Sequence, residues 1–486
     1  MSAARRWGSA GQGDGMTQAA RIGFVTGALA LLSAVVLPAP AGMTRESLIV
    51  AGLVVLMAAW WMTEALPLTA TALMPFVVLP LAGVMPAREA AAEYFAPILF
   101  LLLGGAFLAL AIERVGLHRR LSLAILKAVG SGGGPTRLLL GFMLATAVLS
   151  MLISNTATAL IMMPMALAVL AAGGVAEGET EGLSGALPIG IAFAASIGGL
   201  GTIVGSPTNG IAVALLEETI DHRIGFLEWM AYGVPLVLIG VPLAALIVGR
   251  VQRVARHPFD AARAREAIED HAPWTAPERR LLPVIALAFL GWVTQLWVAP
   301  FLPPDSWTDG TIAVIAALAL FLIPDGTGRP LLVWREADRA PWGVIVMFGG
   351  GLALAAGMQE SGLAEWLGQA LLPLAAVPLW VLVLAVVALV VLVTEFASNV
   401  ATASGIMPVV ASLAVALALV DPMLLAMSAA LAASWGFMLP AGTGPNAIAW
   451  ATGRIRIEHM VKSGLLLDLA GIPLIVAVVW AVAALL

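Results

Sequence analysis

The sequence contains no cysteine, little charge and no histidine inside an apolar segment. Without cysteine, the chain has no disulfide, no thiol nucleophile and no thiolate metal ligand. All of the histidines lie in polar breaks or at the ends of apolar segments; they are His118, His222, His257, His271 and His459. This placement excludes an HExxH zinc site, and no nucleophile–base pair lies in the apolar segments. We therefore predict that the protein is not an enzyme.

The shortage of charge indicates a membrane protein. Of 486 residues, 61% are hydrophobic and 11% are charged, whereas a soluble chain is about half apolar and about one quarter charged. The mean hydropathy is +1.01. The lipid bilayer is therefore the solvent for most of the chain, and the net charge of −5 gives no reason to expect nucleic acid as a partner.

Apolar segments of membrane-spanning length recur along the chain and predict an all-α polytopic fold. We place about 11 spans near 23–41, 48–65, 66–84, 96–114, 187–216, 226–250, 280–302, 309–324, 342–358, 423–452 and 463–486. Two longer stretches, 137–172 and 376–419, have Ser-Asn in the middle, and we expect them to form re-entrant helical hairpins. Residues 1–22 are polar and predict a disordered cytoplasmic leader, and we expect a surface helix within 250–280.

The distribution of positive charge supports this topology. If residue 1 is cytoplasmic and both hairpins turn back, all of the 24 Lys and Arg residues except Arg45, Arg88 and Arg223 lie on the cytoplasmic side. This asymmetry is what the positive-inside rule requires. It predicts a multi-pass protein of the bacterial inner membrane with a cytoplasmic N-terminus.

An internal repeat organises the chain. Residues 102–121 match 347–366, residues 150–164 match 394–408, and residues 201–214 match 437–451, in the same order. An odd number of crossings separates equivalent points, so the two repeats face opposite ways. Inverted-topology repeats of this kind are typical of secondary transporters.

Two pairs of motifs interrupt the repeats at equivalent places. Ser154-Asn155 and Ser398-Asn399 lie where the long stretches must reverse, and Ser and Asn are favoured helix N-caps. The helix N-termini would direct N–H groups and positive dipole ends at an anion between the two tips. The second pair, 205–209 and 442–446, combines Gly and Pro, which unwind a helix and free its carbonyl oxygens for sodium. Helix breaks without function are the alternative interpretation, which the symmetric duplication disfavours.

Positive charge is missing around these motifs in the sequence. A dianion deep in the membrane would lack a counter-charge, so we predict co-transported sodium ions, bound by hydroxyl, amide and carbonyl oxygens, as the only cofactor. Glu395, four residues before Asn399, is either a proton site or a hydrogen-bonding partner of the hairpin backbone, and we favour the second interpretation.

These motifs resemble those of the divalent anion/sodium symporters, the family of INDY-type dicarboxylate and citrate carriers. The matching segments are WWMTEALPLTATALMP at 60–75, SNTATALIMMP at 154–164, GSPTN at 205–209, GGGLALAAGMQESGLAEWLG at 349–368, TEFASNVAT at 394–402 and GTGPNAI at 442–448. The resemblance covers nearly everything after the leader.

The resemblance implies a homodimeric elevator-type transporter. The scaffold domain would contain residues 23–136, with the first repeat beginning near residue 92, and residues 280–373. The transport domain would contain residues 137–279 and 374–486, each part holding one hairpin and one unwound helix.

The resemblance also implies the site residues. The first sodium site would contain Ser150, Ser154, Asn155 and the carbonyl of Gly205, and the second Thr394, Asn399 and the carbonyl of Gly442. The substrate residues implied are Ser154, Asn155, Thr156, Ser398, Asn399, Val400 and Thr443.

Three positions depart from the family pattern. Val400 stands where a threonine is commoner, and Thr208 and Gly444 each replace a proline. The sequence thus predicts sodium-coupled symport of C4-dicarboxylates such as succinate, malate or fumarate. A dicarboxylate exchanger or a citrate or sulfate carrier of the same fold is the alternative, and an ion channel is disfavoured.

Overall fold

The structure is a computed structural model that describes residues 17–130, 134–176, 178–220, 222–257, 259–260, 273–371, 376–417, 419 and 421–485. Within these ranges the chain is helical without a β-strand, apart from one isolated bridge between Pro324 and Pro330. Nine helices in the described part are long and apolar enough to cross a membrane. The predicted all-α polytopic fold is therefore confirmed.

The helices cover the predicted spans, although the predicted spans 66–84, 187–216 and 423–452 are each divided between two shorter helices. In the first half they are α1 (Gln18–Val36), α2 (Arg45–Thr63), α3 (Leu68–Thr71), α4 (Met74–Leu81), α5 (Ala87–Ala92), α6 (Ile98–Val115), α7 (Leu117–Ile125), α8 (Pro135–Ser150), α9 (Asn155–Ala172), α10 (Leu183–Gly199), α11 (Pro207–Ile220) and α12 (Phe226–Val251). In the second half they are α13 (Ala276–Val298), α14 (Asp309–Leu322), α15 (Trp334–Ala337), α16 (Trp342–Glu360), α17 (Leu363–Leu371), α18 (Leu379–Phe396), α19 (Asn399–Ala416), α20 (Met423–Ala432), α21 (Gly444–Ala451) and α22 (Ile457–Ala483).

The predicted leader is too long. Helix α1 already begins at Gln18, because the Thr17 side chain accepts a hydrogen bond of 3.1 Å from the backbone N–H of Ala20 and caps the helix. Residues 1–16 lie outside the described residues. Residues 258 and 261–272 of the segment 250–280, for which we predicted a surface helix, also lie outside them.

The first long stretch folds back as a helical hairpin. Helix α8 runs parallel to α10, because Gly190 lies against Leu139 and Met143 while Gly198 lies against Ala147. Helix α9 runs antiparallel to α10, since Asn155 at its start lies beside Gly199 at the end of α10. Helices α8 and α9 are therefore antiparallel, as predicted.

The second long stretch has the same arrangement. Thr394, near the end of α18, donates a hydrogen bond of 2.8 Å to the carbonyl of Ala433, just after α20. Asn399 at the start of α19 is bonded to the same Thr394, and a short connection joins the end of α19 to the start of α20. Helix α19 therefore returns along α18 and forms the second hairpin.

Small residues allow helices to pack closely around the hairpins. A Cβ added to Gly104 in α6 would lie 2.6 Å from backbone atoms of Ala313 in α14, and Gly350 in α16 leaves room for the carbonyl oxygen of Ala72. Close approach of this kind is the usual way in which membrane helices associate. In lipid, burying apolar surface between helices gains no hydrophobic free energy, so close van der Waals packing must hold the helices together.

A buried ion pair fixes the connection after α14 to the end of α6. Arg114 Nη2 lies 2.6 Å from Asp325 Oδ2, and the Asp325 side chain is completely buried. Burial alone would raise the pKa of Asp325, but hydrogen bonds from Thr327 and Arg114 lower the pKa to about 2. The carboxylate is thus ionised in the folded protein at any pH above about 4.

Replacing Asp325 by Ala should destabilise the protein by about 1.5–3 kcal/mol, because the partly buried Arg114 would lose a charge-assisted hydrogen bond and keep Glu336, at 3.5 Å, as its carboxylate partner. The thermal midpoint of the detergent-purified protein measures this. Glu217→Ala is the control, since Glu217 is 4.0 Å from Arg223 in an exposed pair whose loss changes stability by about 0.5 kcal/mol. Because the folded pKa of Asp325 is depressed, the difference from wild type should shrink as the pH falls from about 4 towards 2. Equal midpoints for Asp325→Ala and wild type at neutral pH would contradict this account.

Candidate functional site

Each hairpin reverses at a serine that caps the following helix. Ser154 Oγ accepts a hydrogen bond of 3.3 Å from the backbone N–H of Ala157 at the start of α9. Ser398 Oγ accepts the equivalent bond of 3.2 Å from Ala401 at the start of α19. The backbone dihedrals of the two serines are nearly identical, with φ −59° and ψ 148° against φ −65° and ψ 146°. The two predicted tips therefore have the same local structure.

The first tip contains a cluster of hydroxyl, amide and carbonyl groups. Ser150 Oγ donates a hydrogen bond of 2.6 Å to the carbonyl of Ala195 and lies 2.8 Å from the side-chain amide of Asn155. With its nitrogen turned towards them, Asn155 also reaches the carbonyls of Ala195 at 3.1 Å and Gly205 at 3.2 Å. The structure thus brings together Ser150, Asn155 and the Gly205 carbonyl, as the first predicted sodium site requires.

The second tip repeats the cluster with a threonine in place of the serine. Thr394 Oγ1 lies 2.9 Å from Asn399 Oδ1 and 2.8 Å from the carbonyl oxygen of Ala433. Thr394 is completely buried. Gly442 lies against this cluster, because a Cβ added to it would be 3.4 Å from the Glu395 carbonyl oxygen and 3.9 Å from that of Thr394. The three residues predicted for the second sodium site therefore also lie together.

Glycine is required at the first unwound segment by the carbonyl groups around it. A Cβ on Gly205 would lie 2.6 Å from the carbonyl oxygen of Gly199 and 2.8 Å from that of Ser150. Any side chain would displace these oxygens, which shows why the break contains glycine at this position.

Two further asparagines hold the unwound segments, and the sequence reasoning did not assign them a role. Asn209 Nδ2 donates to the carbonyls of Gly199 at 2.7 Å and Thr202 at 2.8 Å. Asn446 Nδ2 donates to those of Phe437 at 3.4 Å and Leu439 at 3.0 Å. The Oδ1 atoms of both asparagines are buried without a hydrogen-bond donor among the described residues.

Composition could have identified these residues. The chain contains four asparagines, at 155, 209, 399 and 446, and all of them belong to the paired motifs. The same pairing would have identified Ser206, which precedes α11 as Thr443 precedes α21. Ser206 is 4% exposed, and Thr443 caps its helix by accepting a hydrogen bond of 3.2 Å from Asn446.

The two halves of the site touch each other. Thr156, beside the first tip, lies directly against Gly444 at the start of α21, where its Oγ1 leaves no room for a side chain. This contact gives a physical reason for glycine at position 444, where proline is usual in the family that the motifs resemble. Asn155 contacts the segment before α11, and Asn399 contacts Thr394 beside Gly442. The N-termini of α9, α11, α19 and α21 are therefore neighbours, and their positive dipole ends gather around one region.

Val400 and Ser398 complete the second tip. Both are partly exposed, as are Asn155 and Asn399 in the two tips, while Ser154 and Thr156 are exposed. Val400 presents an apolar side chain where the first tip has the hydroxyl of Thr156. The predicted substrate residues therefore lie at the accessible surface of the two tips, and the predicted sodium residues lie mostly deeper.

Glu395 forms hydrogen bonds, but not to the hairpin backbone. Its carboxylate accepts from three consecutive backbone N–H groups of the second unwound segment: Phe437, Met438 at 3.0 Å and Leu439 at 3.2 Å. The prediction of a backbone-bonding role is thus right and the predicted partner is wrong. The reason is that Ser398 already satisfies N–H groups at the hairpin tip, since its side chain accepts from Ala401 and its carbonyl from Thr402.

A cavity of about 310 Å³ leads to the first tip. Ser154, Ile153 and Pro207 line one side, and residues of α6 and the segment 339–345 line the other. Glu113 and Arg339 also line it. Positive charge is absent around the motif in the sequence, but the fold brings Arg339, which is distant in sequence, to the cavity that Ser154 lines.

The donor set of the two clusters suits a hard cation. It consists of hydroxyl, amide and carbonyl oxygens without sulfur or imidazole, and such oxygens are the preferred ligands of hard ions. No cluster of three or more His, Asp or Glu residues suited to a metal occurs in the described part of the chain. The chemistry of the donors is therefore compatible with sodium, which needs no anionic ligand cage.

Comparison with known proteins agrees with this geometry. A family model described as citrate transporter matches residues 58–432. The sodium-dependent dicarboxylate transporter SdcS of Staphylococcus saprophyticus is 38% identical over 477 residues, covering 94% of this chain and 90% of that protein. SdcS of Staphylococcus aureus is 36% identical over 474 residues, again covering 94% of this chain and 90% of that protein.

A solved structure has a related fold. The crystal structure of the Alcanivorax borkumensis YdaH transporter, described as having an unusual topology, superposes with a TM-score of 0.57. The match covers 89% of this chain and 98% of that chain at 17% identity, so it supports the fold alone. The resemblance that the sequence motifs indicated is confirmed by the family model and the curated relatives, and the chain belongs to the citrate transporter family of membrane transport proteins.

Proposed function

We propose that this protein is a sodium-coupled symporter of C4-dicarboxylates in the bacterial inner membrane, with a cytoplasmic N-terminus. The observation that carries the proposal is the duplicated cluster of hydroxyl, asparagine and carbonyl at the two hairpin tips. The SdcS relatives are named as sodium-dependent dicarboxylate transporters, which supports the same conclusion.

Sodium binds at the two clusters in this proposal. The first site uses Ser150, Ser154, Asn155 and the Gly205 carbonyl, and the second uses Thr394, Asn399 and the Gly442 carbonyl. The position of Asn155 supports the assignment, because its side-chain amide lies within about 3 Å of Ser150 Oγ and of the carbonyl oxygens of Ala195 and Gly205. These are the hydroxyl and carbonyl oxygens that a hard cation prefers.

The substrate carboxylates bind at the exposed side of the same tips. Ser154, Asn155 and Thr156 meet one carboxylate, and Ser398, Asn399, Val400 and Thr443 surround the other. Four helix N-termini supply partial positive charge there. Because those dipoles supply only fractions of a charge, the bound sodium ions complete the site, which makes cation and anion binding mutually dependent.

The cavity supports access from one side of the protein. It connects Ser154 to Arg339, and the positive-inside pattern places Arg339 on the cytoplasmic side. A volume of about 310 Å³ admits a small dicarboxylate. The exposed guanidinium would attract the anion to the cavity, while Glu113 opposite limits how tightly the anion is held there.

An elevator movement would carry the site between the two sides of the membrane. The parts of the two repeats that carry the hairpins and the unwound helices, 137–279 and 374–486, would move as one transport domain against a dimeric scaffold. Apolar contacts based on glycine between these parts support this division: Gly105 in α6 lies against Val204, and Gly210 in α11 lies against Leu102 and Phe348. Such contacts leave few directional bonds to break when the surfaces slide.

Uptake of labelled succinate into proteoliposomes tests the function against its alternatives. A symporter takes up succinate when an inward sodium gradient is imposed, whereas an exchanger requires dicarboxylate inside the vesicle. Stronger competition by citrate or sulfate than by malate would favour the citrate or sulfate carrier, and sustained unitary currents would favour a channel. Uptake that ignores sodium would exclude the proposal.

Replacing Asn155 or Asn399 by Ala should abolish sodium-dependent uptake without unfolding the protein. Each change removes hydrogen bonds or sodium contacts that contribute about 1.5–3 kcal/mol, so the apparent sodium affinity should fall by at least about tenfold. Thr294→Ala is the control, because Thr294 is partly exposed and its side chain bonds to Leu290 within its own helix. Wild-type sodium dependence in either asparagine variant would contradict the assigned sites.

Replacing Val400 by Thr should change substrate preference more than sodium affinity, because it adds one hydroxyl beside the substrate. A single new hydrogen bond contributes about 0.5–1.5 kcal/mol, so the ratio of citrate to succinate inhibition should shift by about two- to tenfold. The same substitution at Val415, which is 52% exposed on the same helix, serves as the control. Identical inhibition profiles for Val400→Thr and wild type would place residue 400 outside the site.

A further inference from the structure

Two hydrogen bonds join the proposed transport domain to the proposed scaffold at one end of the molecule. The backbone N–H of Phe226, the first residue of α12, donates a hydrogen bond of 2.9 Å to Asp309 Oδ2 at the start of α14. Gln359 Nε2, near the end of α16, donates one of 2.8 Å to the carbonyl of Glu218 in α11. Phe226 and Glu218 belong to the predicted transport domain, and Asp309 and Gln359 to the predicted scaffold domain.

The side chain of Phe226 adds to the first of these contacts. It is 1% exposed, and its ring stacks on that of Trp292 in α13, with the ring centroids 4.5 Å apart. Trp292 Nε1 in turn donates a hydrogen bond of 3.1 Å to the backbone carbonyl of Asp309. Asp309 and Trp292 therefore hold both the backbone and the ring of Phe226, so that the start of α12 is fixed to two scaffold helices.

Helix α12 has no cap of its own. The N–H groups of a first helical turn are commonly satisfied by a Ser, Thr, Asp or Asn side chain just before the helix, and Thr275 and Thr308 do this for α13 and α14. The residue before α12 is Gly225, which has no side chain. A free N–H in an apolar interior is costly, so α12 depends on Asp309 of another helix for an acceptor.

These contacts lie on the side of the membrane opposite to the inner cavity. Helices α11 and α16 end there and α12 and α14 begin there, on the side where the positive-inside pattern places Arg223. Arg223 adds a longer ion pair between the two parts, because its Nη1 lies 3.8 Å from Asp305 Oδ1. At the other side, a cavity of about 310 Å³ lies between Ser154 and Arg339. The two parts are therefore bonded at the outer end and separated at the inner end.

The corresponding helix start of the second repeat is not buried. A pair of glycines packs each helix against the chain just before the unwound segment of its own repeat, and these are Gly233 and Gly240 in α12 and Gly464 and Gly471 in α22. The same spacing makes Ile457 the counterpart of Phe226, and Asp468 the counterpart of Val237. Ile457 is 36% exposed. Because the predicted repeats are inverted, α22 begins at the inner side, where this exposure agrees with an open inner end.

We propose that Asp309, together with Trp292 and Gln359, forms an outer latch that holds the transport domain in the inward-open position. None of these three residues belongs to the proposed sodium or substrate sites, so they are positioning residues. The glycine contacts between the two parts can slide, whereas the outer latch must break. A contact made in one position stabilises that position alone, so weakening the outer latch raises the outward-open population. The inference rests on the proposed function, which supplies the movement between the two positions.

Because the chain contains no cysteine, a single introduced cysteine reports on one place in the molecule. Ile224, which is 2% exposed beside the outer latch, reports on the outer end, and Ala109, which lines the inner cavity, reports on the inner end. Each is replaced by cysteine in a separate protein in lipid nanodiscs, where both faces are accessible, and the rate of reaction with a water-soluble maleimide is measured. With the outer latch intact, Ala109→Cys should react readily and Ile224→Cys slowly.

Adding Asp309→Ala should raise the labelling rate of the outer cysteine by about two- to tenfold, the change in equilibrium that one hydrogen bond typically makes. It should also lower the rate of the inner cysteine, because the inner end closes as the outer end opens. Asp309→Asn keeps an oxygen acceptor for the N–H of Phe226 and should restore both rates. Unchanged rates in Asp309→Ala, or a rise at the outer cysteine alone, would overturn the proposal, since the latter means local loosening without movement.

Gln359→Ala tests the outer latch independently, and replaces Asp309→Ala if that variant fails to fold. It removes the bond to the carbonyl of Glu218 and should shift both rates in the same directions. Gln295→Ala is the matched control, because Gln295 Nε2 donates a similar bond of 3.1 Å to the carbonyl of Trp307 within the scaffold. Unchanged rates in Gln359→Ala, or equal shifts in the two glutamine variants, would contradict the outer latch.

The labelling needs no transport, so its outcome is separate from that of the proposed function. In sodium-driven uptake, Asp309→Ala should lower the KM for external succinate by up to about tenfold, because a larger outward-open fraction can bind external substrate. Absence of sodium dependence in the wild type would count against the proposed function. Sodium-driven uptake by the wild type, combined with wild-type labelling and an unchanged KM in Asp309→Ala, would overturn the outer latch alone.

Discussion

A helix that breaks inside an apolar protein must still satisfy its free backbone groups, and the site depends on how this chain does so. At each tip, a hydroxyl five residues before an asparagine bonds both the asparagine and a carbonyl across the break, Ser150 with Ala195 and Thr394 with Ala433. An unsatisfied carbonyl or N–H at that depth costs several kcal/mol. The groups that keep the hairpins folded are therefore also the groups available to a cation, so that folding and ion binding place the same demand on the sequence.

The neutral hydroxyl, amide and carbonyl groups at the tips also determine the electrostatics of the site. Helix N-termini and amides provide only partial positive charge, and the described ion pairs, such as Arg114 with Asp325, lie at the helix ends and in connections rather than at the tips. A permanent arginine at the tip would bind a dianion tightly in every state. Mobile cations can dissociate together with the dianion. A carrier therefore has a physical reason to use neutral oxygens at the centre of its binding site and to keep Arg339 at the cavity wall.

Sequence reasoning predicted the local features well and the long-range ones poorly. Apolar length placed the spans, and the cap at Ser154 and the break at Gly205 followed from residue type, because each depends on neighbours within a few positions. The leader was too long because Thr17 caps α1 earlier than the apolar run suggests. The partners of Glu395 lie more than 40 residues later in the chain, and Arg339 lines the cavity that Ser154 also lines. Both features depend on tertiary packing that no local pattern encodes.

Comparison of the two repeats separates what the architecture needs from what has been added to it. Equivalent glycines, caps and asparagines recur in both halves, so they serve the common fold. Two buried acidic residues of the second half, Glu395 and Asp468, have no counterpart, because Met151 and Val237 occupy the equivalent places. Burying a carboxyl group is costly, and the first repeat packs without one at either place. For Glu395 the hydrogen bonds from the N–H groups of the second unwound segment offset this cost, so the second half holds that segment with a carboxylate that the first half does not need.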